Sequence, residues 1–190
     1  AQGDDFPALE AVNEFILSNG AIPTFAFLDG TSSGEAKMDD LLDCMIASGV
    51  AAVTIIPERN WNIADAAVKE LKLNNLEAFI TRTRDRALPI FIGTEMNAYG
   101  QRFVDKLDAP ELQPYFSDFQ EGMYILHGHT VLQTAADMGY MSEWAANNFA
   151  SSREKNNFFA RFGKAFIPGT GERLEQITLD VTPKMILKAL

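Results

Sequence analysis

His127 and His129 are the only histidines in the sequence, and a single glycine separates them. Imidazole nitrogens are good ligands for divalent metals, and residues two apart on an extended strand point to the same face. At a strand end both rings would reach one ion, and zinc, manganese or iron would accept them beside a carboxylate such as Glu95 or Asp29. The competing reading leaves one ring in the sheet layer, hydrogen-bonded to a backbone carbonyl. Glu95 follows an apolar run closed by Gly93, which leaves room for a substrate or metal. A carboxylate there serves as metal ligand or general base, or else forms a salt bridge with Arg59. The planar guanidinium of Arg59 suits a two-pronged contact with a carboxylate or phosphate, which makes it a candidate substrate clamp. Asn60, Asn97, Gln101 and Asp29 complete the candidate substrate-binding set, with Glu58 beside them. Asp29 also fits an Asx turn into Gly30. Trp61 suits a sugar ring or the edge of the core. Pro168–Gly171 lacks the Lys-Ser/Thr pair of a phosphate loop and reads as a plain turn.

A repeated strand–helix order must position these residues. Ile22–Leu28, Val50–Ile56, Leu88–Ile92 and Met123–Leu126 are short apolar runs without polar alternation, as buried parallel strands require. Phe6, Leu9, Val12, Phe15 and Ile16 share one helical face before the first run. Ser32–Glu35 reads as a capping box opening a helix with Met38, Leu41, Leu42, Met45 and Ile46 on one stripe. Cys44 belongs to that helix and reads as a buried thiol. Two helical pieces, about 64–72 and 75–86, precede the third run. Helices about 131–138, 142–149 and 153–162 follow the fourth, the last behind a second capping box, Ser151–Glu154. Thr182-Pro183 opens a final short helix. Phe158, Phe159, Phe162 and Phe166 have the spacing of core packing. The expected fold is α/β: four parallel strands alternating with helices, as an open sheet or a partial TIM-like barrel. A full barrel needs about 250 residues. In either case ligands belong at the carboxyl ends of the strands, where all the candidate residues fall.

The segment Gly49–Gly100 resembles the second half of a metal-dependent barrel hydrolase of the polymerase-and-histidinol-phosphatase (PHP) type. The family pattern is a strand ending in an asparagine-bearing loop, a helix, and an apolar strand closing in Gly-Ser-Asp-x-His-Gly. Here the strand ends in Pro57-Glu-Arg-Asn60 and the later one in Gly93-Thr-Glu-Met-Asn-Ala-Tyr-Gly100. The resemblance places Glu95 where the family has a metal-binding Asp, and Asn97 where it has a His. It implies a divalent metal (Zn, Mn or Fe), metal-activated water as nucleophile, and a phosphate ester or small polar substrate. The two-histidine motif that opens such barrels is absent before the first strand, which reads as the carboxyl-terminal part of a longer barrel.

Composition limits the alternatives. With 190 residues and 47% hydrophobic content, the chain suffices for a single α/β domain. A net charge of −10, with 26 acidic against 16 basic side chains and no basic run, argues against a nucleic-acid partner. One cysteine excludes an intrachain disulfide and a cysteine-based zinc cluster. No apolar stretch approaches the roughly 20 residues that cross a bilayer. A chain starting at Ala1 without Met reads as processed or excised from something longer, with the cytoplasm as the default compartment. An exposed half-barrel edge favours homo-oligomers. Beside the hydrolase stand a metal-free small-molecule-binding or regulatory domain and an isomerase or amidohydrolase on the same scaffold.

Overall fold

Residues 6–96, 99–100, 102–169, 174 and 180–189 are described by the structure, a computed structural model. The chain begins with helix α1 (Leu9–Ser18), strand β1 (Thr24–Phe27), helix α2 (Met38–Ala47) and strand β2 (Ala52–Ile55). One turn of helix, α3 (Glu58–Trp61), then the long α4 (Ala66–Asp85), lead to strand β3 (Ile90–Ile92). A 3-10 helix (Pro110–Tyr115) runs into α5 (Phe116–Ala136), followed by α6 (Glu143–Asn148), α7 (Ser152–Ala165) and α8 (Pro183–Ala189). Two compact units result, Thr24–Gly122 and Ala1–Pro23 with Met123–Leu190.

The unit Thr24–Gly122 holds a three-stranded parallel sheet in the order β1-β2-β3. Thr24 pairs with Ala52 and Phe27 with Ile55, while Val53 pairs with Ile90 and Ile55 with Ile92. Ala52, Val53 and Ile55 of the central strand are fully buried, as expected for a strand covered on both faces. Phe79 of α4 stacks on Phe27 with ring centroids 4.0 Å apart, and Leu76 and Ile80 fill the same core. Asp65 caps α4 by accepting hydrogen bonds from the Ala67 and Val68 N–H groups.

The structure overturns the expected fold at one element. Met123–Leu126, read as a fourth strand, lies inside the 21-residue α5. Among the described residues the sheet therefore has three strands, and neither a four-stranded sheet nor a partial TIM-like barrel forms. Along this stretch Tyr115, Phe119, Gly122, Ile125, His129 and Leu132 are buried, at intervals of three and four. That is the period of a helix, and two of the buried positions are disguised by a glycine and a histidine. Gly122 sits against β3, where an added Cβ would lie 1.9 Å from the Ile90 carbonyl oxygen.

Smaller corrections have local causes. The two pieces expected at 64–72 and 75–86 are one helix, α4. Asn75, which looked like a break, instead donates its amide to the Asp29 carbonyl at 3.0 Å. Cys44 is exposed, because two residues along a helix from buried Leu42 turns it about 200° away. The apolar stripe of the first helix is only partly covered: Phe6 and Phe15 are 73% and 69% exposed, Leu9, Val12 and Ile16 are half-buried, and Asn13 is the buried residue of α1.

In the second unit, Phe158, Phe159 and Phe162 of α7 form an aromatic core with Trp144 and Phe149. Ser151 caps α7 by accepting from the Glu154 N–H, and the Glu154 carboxylate accepts from the Ala150 N–H. Trp144 Nε1 donates to the Val181 carbonyl at 2.9 Å. Among the described residues, no helix is long and apolar enough to cross a membrane.

Candidate functional site

The strand ends of the parallel sheet are held by three short-range devices. Asn60, with no exposed surface, donates its amide to the Leu28 carbonyl at 3.0 Å and the Ile56 carbonyl at 3.2 Å, joining the exits of β1 and β2. Asp29 accepts from the Thr31 N–H and hydroxyl, an Asx turn. Glu35 accepts from the Leu28 N–H at 2.7 Å and the Gly30 N–H at 3.1 Å. The expected capping box is thus half present: Ser32 accepts from the Glu35 N–H, but the Glu35 carboxylate reaches the exit of β1, and α2 starts later, at Met38. Glu35→Gln keeps one acceptor oxygen for two backbone donors, one of them buried. It should cost about 1–2 kcal/mol in urea unfolding, and an unchanged midpoint would show that the loop does not depend on this carboxylate.

Above these ties lies a crevice of about 420 Å³ lined by Glu58, Arg59, Lys72, Glu95, Arg102 and Asp105, among others. Arg59 Nη1 meets Glu95 Oε1 at 2.7 Å, and Lys72 Nζ meets Asp29 Oδ2 at 3.0 Å. Arg102 pairs with Glu58 at 3.4 Å. Glu58 donates its N–H to Asp105 at 2.9 Å and accepts from the Lys106 N–H at 3.2 Å, clamping α3 to the loop after β3. Burial raises the Asp105 carboxyl above its ordinary value, and the neighbouring Glu58 and Glu95 charges add to this. The Glu58 N–H and Arg102 oppose the rise without cancelling it. For Asp29, burial also works against ionisation. The hydrogen bonds from Thr31 and Lys72 and the Lys72 charge outweigh it, so this carboxyl lies below its ordinary value.

Of the residues singled out in the sequence, Arg59 and Glu95 come together in this crevice and Asp29 reaches it through Lys72. Asn60 is not among the lining residues; its Oδ1, Arg59 Nε and Trp61 Nε1 are buried without a hydrogen-bond partner among the described residues. Three such atoms in one helical turn are unusual, since buried polar atoms are normally satisfied. Asn97 and Gln101 lie outside the described residues. Lys72, Arg102 and Asp105 were not anticipated. Arg102 and Asp105 stand in the long connection 93–109, and connections beyond about 12–15 residues are often functional, which was the available signal. Lys72, in the middle of a helix, carried none.

The histidines occupy α5 rather than a strand end. Two residues apart on a helix, they point to nearly opposite sides. His127 Nδ1 donates to the Gly163 carbonyl at 2.9 Å, and its ring meets Phe166 edge-on. His129 Nδ1 accepts from the Tyr140 N–H at 2.9 Å. Burial keeps His129 below its ordinary value, a hydrogen bond with the Gly20 backbone acting the other way, so the neutral ring that this acceptor role requires is favoured. Among the described residues, no three His, Cys, Asp or Glu side chains are grouped as a metal ion would need. The divalent metal expected for this chain finds no donor set there.

Comparison with protein-family models, with curated proteins and with solved structures gives no match to this chain.

Proposed function

We propose that the crevice at the strand ends binds a small polar molecule carrying an acidic group, without a metal, and that the chain is a small-molecule-binding α/β protein. One observation carries this reading: three cationic and three carboxylate side chains share a crevice of about 420 Å³ at the carboxyl edge of a parallel sheet. Pockets of roughly this size hold small molecules, and this edge is where parallel α/β proteins bind them. The Arg59–Glu95 pair is about one-third exposed, so it is worth at most about 1 kcal/mol and is readily exchanged. A ligand carboxylate or phosphate would take the place of Glu95 on Arg59. Glu58 and Asp105 would accept from hydroxyl or amino groups of the same molecule.

A hydrolytic role on a phosphate ester is the second reading, and Asp105 favours it. A carboxyl that burial and neighbouring carboxylates raise above its ordinary value is the kind of group that general acids are built from. The resemblance of Gly49–Gly100 to PHP-type hydrolases points to the same substrate class.

Thermal unfolding with glycerol 3-phosphate, malonate and glucose, each with and without EDTA, tests the binding reading. An acidic ligand should raise the unfolding temperature, EDTA should leave the shift intact, and Arg59→Gln should weaken binding about tenfold or more. If neither acidic ligand shifts the protein, or a shift requires added divalent metal, the reading fails.

A further inference from the structure

The unit formed by Ala1–Pro23 and Met123–Leu190 carries a concave surface of its own, a groove of about 700 Å³ lined chiefly from α7 and α8. Glu154, Phe158 and Arg161 follow one another on α7 at intervals of four and three residues, so they lie on one stripe. On α8, Leu187 and Lys188 stand three and four residues after Lys184 and so share one face with it. Apolar surface comes from Phe149, Phe158, Pro183 and Leu187, of which Phe158 is buried and the others are half-buried. Arg161, Lys184 and Lys188 are exposed around them, and none forms an ion pair among the described residues. The one carboxylate among the described groove residues, Glu154, already accepts from the Ala150 N–H.

This local excess of positive charge runs against the chain as a whole, whose net charge is −10. Elsewhere arginines are matched with acids, as Arg82 and Arg86 are with Asp39 and Arg84 is with Asp118. Here three cations border an apolar surface beside one carboxylate, Glu154, and none of the three is paired among the described residues. An inorganic anion would use only the cations, and a neutral hydrocarbon only the floor. A molecule with an apolar body and one anionic end uses both. The volume falls in the range of small-molecule pockets, which favours a compact ligand over a protein surface.

We propose that this groove binds a small amphipathic carboxylate, with its alkyl or aryl body on Phe149, Phe158, Pro183 and Leu187 and its carboxylate held by Arg161, Lys184 and Lys188. Burial of the body supplies most of the affinity, and the cations select the charged end and speed its capture. The site is separate from the strand-end crevice and does not rest on the function proposed for it.

Isothermal titration of the full chain with decanoate, 1-decanol and inorganic phosphate tests it. Decanoate should bind saturably at one equivalent, with 1-decanol and phosphate each at least about tenfold weaker. The triple variant R161Q/K184Q/K188Q changes exposed side chains only and should bind decanoate about tenfold more weakly, with 1-decanol binding unchanged. Leu187→Asp, which puts a charge on the floor, should abolish decanoate binding, whereas Arg59→Gln should leave it intact. Absence of saturable decanoate binding overturns the proposal. So does equal affinity for the triple variant, or 1-decanol binding as tightly as decanoate.

Discussion

Gly163→Ala should lower the unfolding free energy by about 3 kcal/mol, although the same change at an open helical position stabilises by up to about 1 kcal/mol. The reversal follows from the approach of α7 to α5. A Cβ on Gly163 would stand 1.9 Å from the Tyr124 carbonyl oxygen and 2.8 Å from the Gly128 nitrogen. Both are backbone atoms of α5, so no side chain can rotate away and one helix must shift. That shift would disturb the His127–Gly163 hydrogen bond and the stacking of Phe162 on Phe158 and Phe166. Gly34 is the control, since nothing lies within 4 Å of a Cβ placed there. Urea unfolding of both variants gives the comparison. A Gly163→Ala protein as stable as the parent would mean that the two helices are not in backbone contact.

The same helix pair shows where the sequence was readable and where it misled. β1, β2 and β3 were legible because each is an apolar run bounded by Gly, Pro or Asp, and the strand exits carried polar residues as parallel sheets require. α5 was not legible. Its contact positions include Gly122 and Gly128, chosen for close approach, so the buried stripe loses the large apolar residues by which a helix is recognised. The short run Met123–Leu126 was left looking like a strand. Putting His127 and His129 at a strand end then followed from the wrong period, and the metal pair depended on it. The stripe of α1 misled differently, since Leu9, Val12 and Ile16 are only half-buried and Phe6 and Phe15 are exposed. At the crevice, Arg59 and Glu95 could be found because they flank strand ends. Lys72 and Asp105 act from a helix interior and a long loop, and only the tertiary fold brings them to the same place.

Lys72→Met should cost about 3 kcal/mol at neutral pH, and the cost should shrink on acidification. Asp29 and Lys72 are 10% and 17% exposed at their side chains, so the pair is largely removed from water. Taking away one member of such a pair leaves a buried charge without its partner, which costs about 3–5 kcal/mol when burial is complete. The bonds from Thr31 to Asp29 remain and keep the value at the lower end. In the parent, the Asp29 carboxyl lies below its ordinary value. Its contribution to stability is therefore present above the unfolded-state value of about 3.9 and is lost as pH falls through the lower folded-state value. Without Lys72 the burial term is left with less to oppose it, the folded-state value rises, and Asp29 is neutralised sooner on acidification. The difference between parent and variant should thus be largest near pH 7 and smaller at pH 3. Guanidinium unfolding at both pH values reads it directly. A deficit below about 1 kcal/mol at pH 7, or one that does not depend on pH, would show that the pair is effectively solvated. Asp29→Asn in the Lys72→Met background removes the stranded charge and should recover much of the loss, giving a coupling energy that the single variants cannot supply. Lys72 also lines the crevice, so recovery of stability in the double variant without recovery of acidic-ligand binding would separate its structural role from its contact with the ligand.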